Sequence, residues 1–185
     1  MPLTNKIQEL VDSITGSRQA LLKHVSNLSE AQLDHRSEEH PWSISDVLHH
    51  LALTDEANAK LTSVMLKQAR ADQLPIDATP DASQLHCLDG VMPGLNERKF
   101  KAPERVTPRE QLPAAQSLAR LEASRARMLE NLEELSKYDL SKATYPHPAA
   151  GDFNGYQWLL IAGGHESRHV GQIKRIKSQE NFPST

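Results

Sequence analysis

Two histidines one helical turn apart, His165 and His169, stand in the segment Gly164-His165-Glu166-Ser167-Arg168-His169-Val170-Gly171-Gln172-Ile173. A third, His50, holds a matching place on an earlier helical stretch. Imidazoles at i and i+4 share one helix face, and one more from a facing helix can complete three nitrogen donors around a single point. Zinc binds histidine nitrogen at about 2.0–2.1 Å, and three ligands leave a position open to water or substrate, as in catalytic sites. Imidazole suits nickel, copper and iron as well. One inward histidine is ordinarily a core residue satisfied by hydrogen bonds, but burying several without a shared partner is costly. The three together point to a divalent-metal site.

Periodicity selects these three. Leu159, Ala162, His165, His169, Ile173 and Ile176 recur at spacings of three and four, the inward stripe of a helix. On the earlier helix the row Val47, His50, Thr54, Ala57, Leu61 is mostly apolar, whereas Asp46, His49, Leu53, Glu56, Lys60 is mostly polar. His50 rather than His49 is therefore expected to face inward.

His165-Glu166-Ser167-Arg168-His169 also matches the H-E-x-x-H pattern of zinc proteases, in which the glutamate is a general base. The extension that would supply a third ligand fails, because position 175 is Arg175 and Glu180 is the only later carboxylate. No strand offers an edge for a peptide substrate. A protease is not expected.

Four helical patterns must carry the histidines. The first runs from about Leu3 to Val25, with Ile7, Leu10, Val11, Ile14, Leu21, Leu22 and Val25 as its stripe. A short turn follows at Leu28-Ser29, where Leu28 and Leu33 can staple around Ser29. The second starts at the N-cap Ser43, with Asp46 completing a capping box and Trp42 stapling onto Val47, and reaches about Arg70. From Ala71 to Thr107 the chain carries Pro75, Pro80, Gly90, Pro93, Gly94 and Pro103 with little periodicity. A connection that long is either a functional crossover, such as a lid, or mobile. The third helix begins between Thr107 and Ala114, where Thr107-Pro108-Arg109-Glu110 resembles a capping box, and carries Leu118, Leu121, Met128, Leu132 and Leu135. The fourth starts near Asn154 or Gly155 and ends near Lys177. The expected fold is all-α: a four-helix bundle with a long crossover loop between helices two and three, as a single domain over residues 1–185.

The 185 residues can bury a core without disulfides or a structural metal, so a metal here is expected to be functional. A net charge of −3 argues against a nucleic-acid partner. The single cysteine, Cys87, excludes an internal disulfide and suits a reducing compartment. Neither a signal peptide nor an apolar run of the ~20 residues that span a bilayer is evident. A soluble, cytoplasmic protein with no membrane partner is expected.

Trp42-Ser43-Ile44 with Val47-Leu48-His49-His50-Leu51 resembles the second-helix signature of the DinB/YfiT-like superfamily. His165 through Ile173 is similar to that family's last-helix signature, and His147-Pro148 through Phe153, Gly155, Gln157 and Trp158 to the approach to it. The resemblance covers nearly the whole chain, to Ile176. It implies a four-helix bundle, often a homodimer, with a divalent metal (commonly zinc or nickel) held at His50, His165 and His169. It further implies a metal-dependent transferase that activates a low-molecular-weight thiol co-substrate for attack on a small electrophile. Two other readings stay open: a hydrolase of a small-molecule substrate using metal-activated water, and a non-catalytic metal-binding stress-response protein.

Other residues have plainer expectations. Arg125 lies on the third helix's inward row and could hold a substrate carboxylate, but an arginine there more often snorkels from the bundle's edge. Arg168 is expected in a surface or dimer ion pair. Glu166 is either a partner orienting a ligand or a solvated side chain. Cys87 is expected to be incidental rather than reactive. His24, His35, His40 and His147 read as surface or turn residues, with His147 nearest the site.

Overall fold

The computed structural model describes residues 3–89, 102–148 and 151–184. Gly90, Pro93 and Gly94 of the expected loop lie outside these residues. Among the described residues there are five α-helices: α1 (Asn5–Val25), α2 (Glu30–Leu33), α3 (Ile44–Ala71), α4 (Ala114–Leu135) and α5 (Gly155–Lys177). Four of them form the bundle and α2 is a single turn. A hairpin, β1 (Thr144–His147) and β2 (Gly151–Asn154), precedes α5. Among the described residues no helix is long and apolar enough to cross a membrane.

Helix starts follow side-chain chemistry. Ser29, Ser43 and Asn154 each accept a hydrogen bond from the backbone N–H three residues on, and Gln32, Asp46 and Gln157 return one, so three capping boxes satisfy otherwise orphaned amides. The short turn expected after α1 is thus the one-turn helix α2. On α1 the buried stripe is Ile7, Leu10, Val11, Ile14, Leu21 and Val25. Leu22, expected in that stripe, is exposed.

Two expectations are corrected. Thr107-Pro108-Arg109-Glu110 does not begin a helix. Its threonine follows a 3₁₀ turn, Glu104–Val106, and α4 starts only after Pro113. Strands are also present among the described residues. β1 and β2 pair antiparallel with Tyr145 opposite Phe153, both buried. Strands of four residues, one of them containing Pro146, are too short to show alternation, which explains why the pattern was not readable.

Side-chain pairs fix the helix directions. Glu56 meets Arg120, Thr62 meets Asn131 and Arg70 meets Glu134, so α3 and α4 run parallel. Ile14 meets Gly163, Arg18 meets Glu166 and the His24 carbonyl meets Lys177, so α1 and α5 also run parallel. Parallel neighbours require the chain to return along the bundle. The 28-residue α3 is about 42 Å long at 1.5 Å per residue, hence the crossover. Its beginning is held by Asp77, whose carboxylate accepts from Lys6 Nζ at 2.7 Å and from the Tyr156 hydroxyl at 2.9 Å.

The core consists of two apolar clusters. One holds Ile7, Leu10 and Ile14 of α1 with Met65, Leu132 and Leu159; the other holds Leu21 and Val25 with Leu48, Leu121 and Ile173. Between them each long helix contributes a charged residue: Arg18, Asp55, Arg125 and Glu166. The metal-ligand candidates are in the same part of α3 and α5.

Candidate metal centre

His50 on α3 and His165 and His169 on α5 converge. The Nε2 atoms of His50 and His165 are 3.3 Å apart, and those of His165 and His169 are 3.2 Å apart. One ligating atom from each of the three lies within 4.8 Å of the others, and His50 is buried while the other two are half-buried. His49 is buried too, but its Nδ1 faces the Glu110 carbonyl at 3.3 Å, on the crossover side. His49 therefore stands apart from the triad, although it is buried rather than outward-facing as its polar row implied.

The hydrogen bonds behind the rings decide what the Nε2 atoms offer. His50 Nδ1 lies 2.7 Å from the Val106 carbonyl, which can only accept, so Nδ1 carries the proton and Nε2 presents a lone pair. His169 Nδ1 lies 2.8 Å from Gln172 Oε1 and is oriented in the same sense. His165 Nε2 therefore faces two lone pairs and could donate a proton to only one of them. A cation satisfies all three. Two zinc–nitrogen bonds of about 2.05 Å at a tetrahedral angle separate their nitrogens by about 3.3 Å, close to the two measured spacings.

Electrostatics favours the ligating form. Burial pushes His165 down to about 3, with His169 and His50 adding to the shift, and pushes His169 down to about 4, with His50 adding. Burial also lowers His50, against the raising effect of its bond to Val106. All three imidazoles are neutral at pH 7, as coordination requires. Trp42, the staple residue before α3, packs on His50 with ring centroids 5.1 Å apart and shields it.

Glu166 differs from both expectations. It is 2 % exposed and points to α1 and α4: Arg18 Nε donates to Oε1 at 2.5 Å, Ser17 Oγ to Oε2 at 2.9 Å, and Arg125 Nη2 lies 3.4 Å from Oε2. It is neither solvated nor hydrogen-bonded to a ligand histidine, and in this geometry it cannot act as the general base of a zinc protease. Arg125 is corrected as well. It is buried, donating from Nη1 to the Ile14 carbonyl at 2.7 Å and facing Asp55 at 3.5 Å. Its Nη1 is taken by the Ile14 carbonyl and its Nη2 faces two protein carboxylates, so it does not snorkel to the bundle's edge.

Arg168 is exposed. Cys87 is a half-buried free thiol whose pKa burial pushes up, against thiolate chemistry. His147 packs between Phe153 and Trp158, with ring centroids 5.0 Å from each, and is close enough to bear on the charge state of His165. His35 lies edge-on to Phe182, while His24 and His40 are half-buried and outside the triad. The sequence reading missed Val106, Gln172, Arg18 and Asp55. The first acts through its backbone carbonyl and leaves no side-chain signal. Arg18 and Asp55 were detectable as charges in apolar rows.

Comparison with known proteins agrees with this architecture. The chain is 25% identical over 159 residues to "Uncharacterized protein YuaE" of Bacillus subtilis (strain 168), covering 84% of this chain and 89% of that protein. It is 23% identical over 177 residues to "Putative metal-dependent hydrolase GK0616" of Geobacillus kaustophilus (strain HTA426), covering 96% of this chain and 87% of that one. Among solved structures it resembles TT2238, a four-helix bundle protein, with a TM-score of 0.61 and 22% identity over 91% of this chain and 98% of that one. The DinB superfamily profile matches residues 13–173. With its histidine-bearing helices in that span, the chain belongs to the DinB superfamily.

Proposed function

We propose that this protein is a metal-dependent enzyme that binds zinc or nickel at His50, His165 and His169 and transfers a low-molecular-weight thiol to a small electrophile. The observation carrying the reading is the convergence of three Nε2 atoms, two of them oriented as lone-pair donors by Val106 and Gln172. A divalent cation bound there would supply Lewis acidity and lower the pKa of a thiol or water in its open position. The chain holds the imidazoles neutral, and Trp42 limits water around His50. Glu166 is committed to Arg18 and Arg125 and supplies no base. That favours a nucleophile that coordination alone deprotonates, which a thiol is and water is less readily.

A hydrolase is the second reading. It is favoured by the name of the Geobacillus relative and by a further imidazole near His165, that of His147, which burial keeps neutral. A homodimer is part of the proposal on family grounds.

The test is metal content of protein purified without a histidine tag or chelator, beside a His50→Ala, His165→Ala, His169→Ala variant. Near-stoichiometric metal, lost in a variant that still folds, is the expected result. Turnover of electrophiles only with added thiol then selects the transferase, and thiol-independent turnover selects the hydrolase. A wild type that takes up neither zinc nor nickel refutes both.

A further inference from the structure

The two ligand-bearing helices, α3 and α5, belong to different parallel pairs, α3 with α4 and α1 with α5. Something must fix their spacing and rotation where the histidines meet. Arg18 reaches both: its Nε donates to Glu166 of α5 at 2.5 Å and its Nη2 to Asp55 of α3 at 2.6 Å. Glu166 is the residue after His165, and Asp55 lies just over one turn beyond His50. From α4, Arg125 Nη2 approaches the same two carboxylates at 3.5 and 3.4 Å while its Nη1 donates to Ile14 of α1.

We infer that Arg18 and Arg125 are positioning residues that set the α3–α5 geometry of the metal centre by clamping Asp55 to Glu166. This rests on the metal-site reading above. Two carboxylates on facing helices repel each other when buried, and each guanidinium bridges both, so the four charges sum to zero only when all four helices are in place. Buried ion pairs seldom stabilise a core more than apolar residues of the same size, and their best-attested use is fixing register. All four sit in rows whose neighbours are apolar: Ile14 and Leu21 flank Arg18, Leu51 and Ala59 flank Asp55, Leu121 and Met128 flank Arg125, and Ala162 and Val170 flank Glu166. Each of the four charges is thus bracketed by apolar neighbours on its own helix. Removing partners that orient metal ligands typically weakens binding about 10- to 100-fold.

The experiment measures zinc affinity by chelator competition, together with the visible absorption of the cobalt-substituted protein. It uses the full chain and the variants Arg18→Gln and Arg18→Lys. Leu132→Ala, in the apolar cluster away from the clamp, serves as a comparably destabilised control. The expected result is zinc binding weakened about 10- to 100-fold in Arg18→Gln, with an altered cobalt spectrum. Arg18→Lys, which keeps the charge but not the two-pronged bonding, should fall between that and wild type. Leu132→Ala should bind as wild type does. Should Arg18→Gln not fold, Arg18→Lys decides. Wild-type affinity and spectrum in a folded arginine variant overturn the inference, as does failure of both to fold, which would make the clamp a folding requirement alone. A wild type that binds no zinc refutes the metal reading and the positioning role with it, whereas a binding wild type with unaffected variants refutes only the latter.

Discussion

Two polar clusters lie at one level of this bundle and have opposite chemistry. Arg18, Asp55, Arg125 and Glu166 carry full charges, each facing an opposite one. His50, His165 and His169 are neutral, yet their Nε2 atoms converge with more lone pairs than protons. The charged group pairs two guanidinium groups with two carboxylates and is balanced in charge. The neutral group has donor capacity that a cation could fill. Burial and polarity alone do not distinguish a structural cluster from a binding site, but unmet coordinating capacity does.

Breaking the charged group should produce the larger loss of stability. Arg125→Met leaves Asp55 and Glu166 with one guanidinium between them and should cost about 3–5 kcal/mol, the range for uncompensated buried charge, in urea unfolding. A cost under about 1 kcal/mol would mean that water reaches the cluster. The histidines should instead show themselves through added metal. Free zinc at about 100 times its Kd should stabilise wild type by about 2.7 kcal/mol and leave the triple-alanine variant unmoved. Equal stabilisation of both would place the binding elsewhere.

Finer tests probe the supports of the neutral group. Gln172→Ala removes the acceptor behind His169 and should weaken zinc binding about 10-fold with little change in folding, read by chelator competition. Unchanged affinity would mean that the His169 ring needs no such support. Acid provides the smallest contrast. In the fold His165 stays neutral down to about 3 and His169 down to about 4, whereas unfolded histidine titrates near 6.5. Between these limits the unfolded chain binds more protons, so the metal-free protein should lose stability as pH falls from about 6.5 toward 4. A His165→Ala, His169→Ala variant should lose less over that interval, and an equal loss would assign the effect to other groups.

The architecture was legible where side chains repeat or cap. Ser43 with Asp46, and the stripe through Leu159, Ile173 and Ile176, located the two helices that bring the histidines together. The hairpin was not legible, because Tyr145 and Phe153 supply only one inward residue per strand. The start of α4 was bracketed between Thr107 and Ala114 rather than fixed, because two prolines, Pro108 and Pro113, each fit a first turn and only packing chooses between them. Glu166 shows the deeper limit. It was expected either to orient a ligand or to be solvated, and reading its burial and role required the guanidinium of α1, 148 positions away in the chain.

The parallel pairing of α1 with α5 also bears on how the chain folds. Neighbouring helices in an up-and-down bundle are consecutive, so each hairpin can form before the next. Here α1 must wait for a partner some 150 residues distant, as the Ser17–Glu166 contact shows with its separation of 149. High contact order slows folding because long loops must close before their contacts stabilise them. This bundle should therefore fold more slowly than an up-and-down bundle of equal length, and its histidine cluster should assemble among the last events.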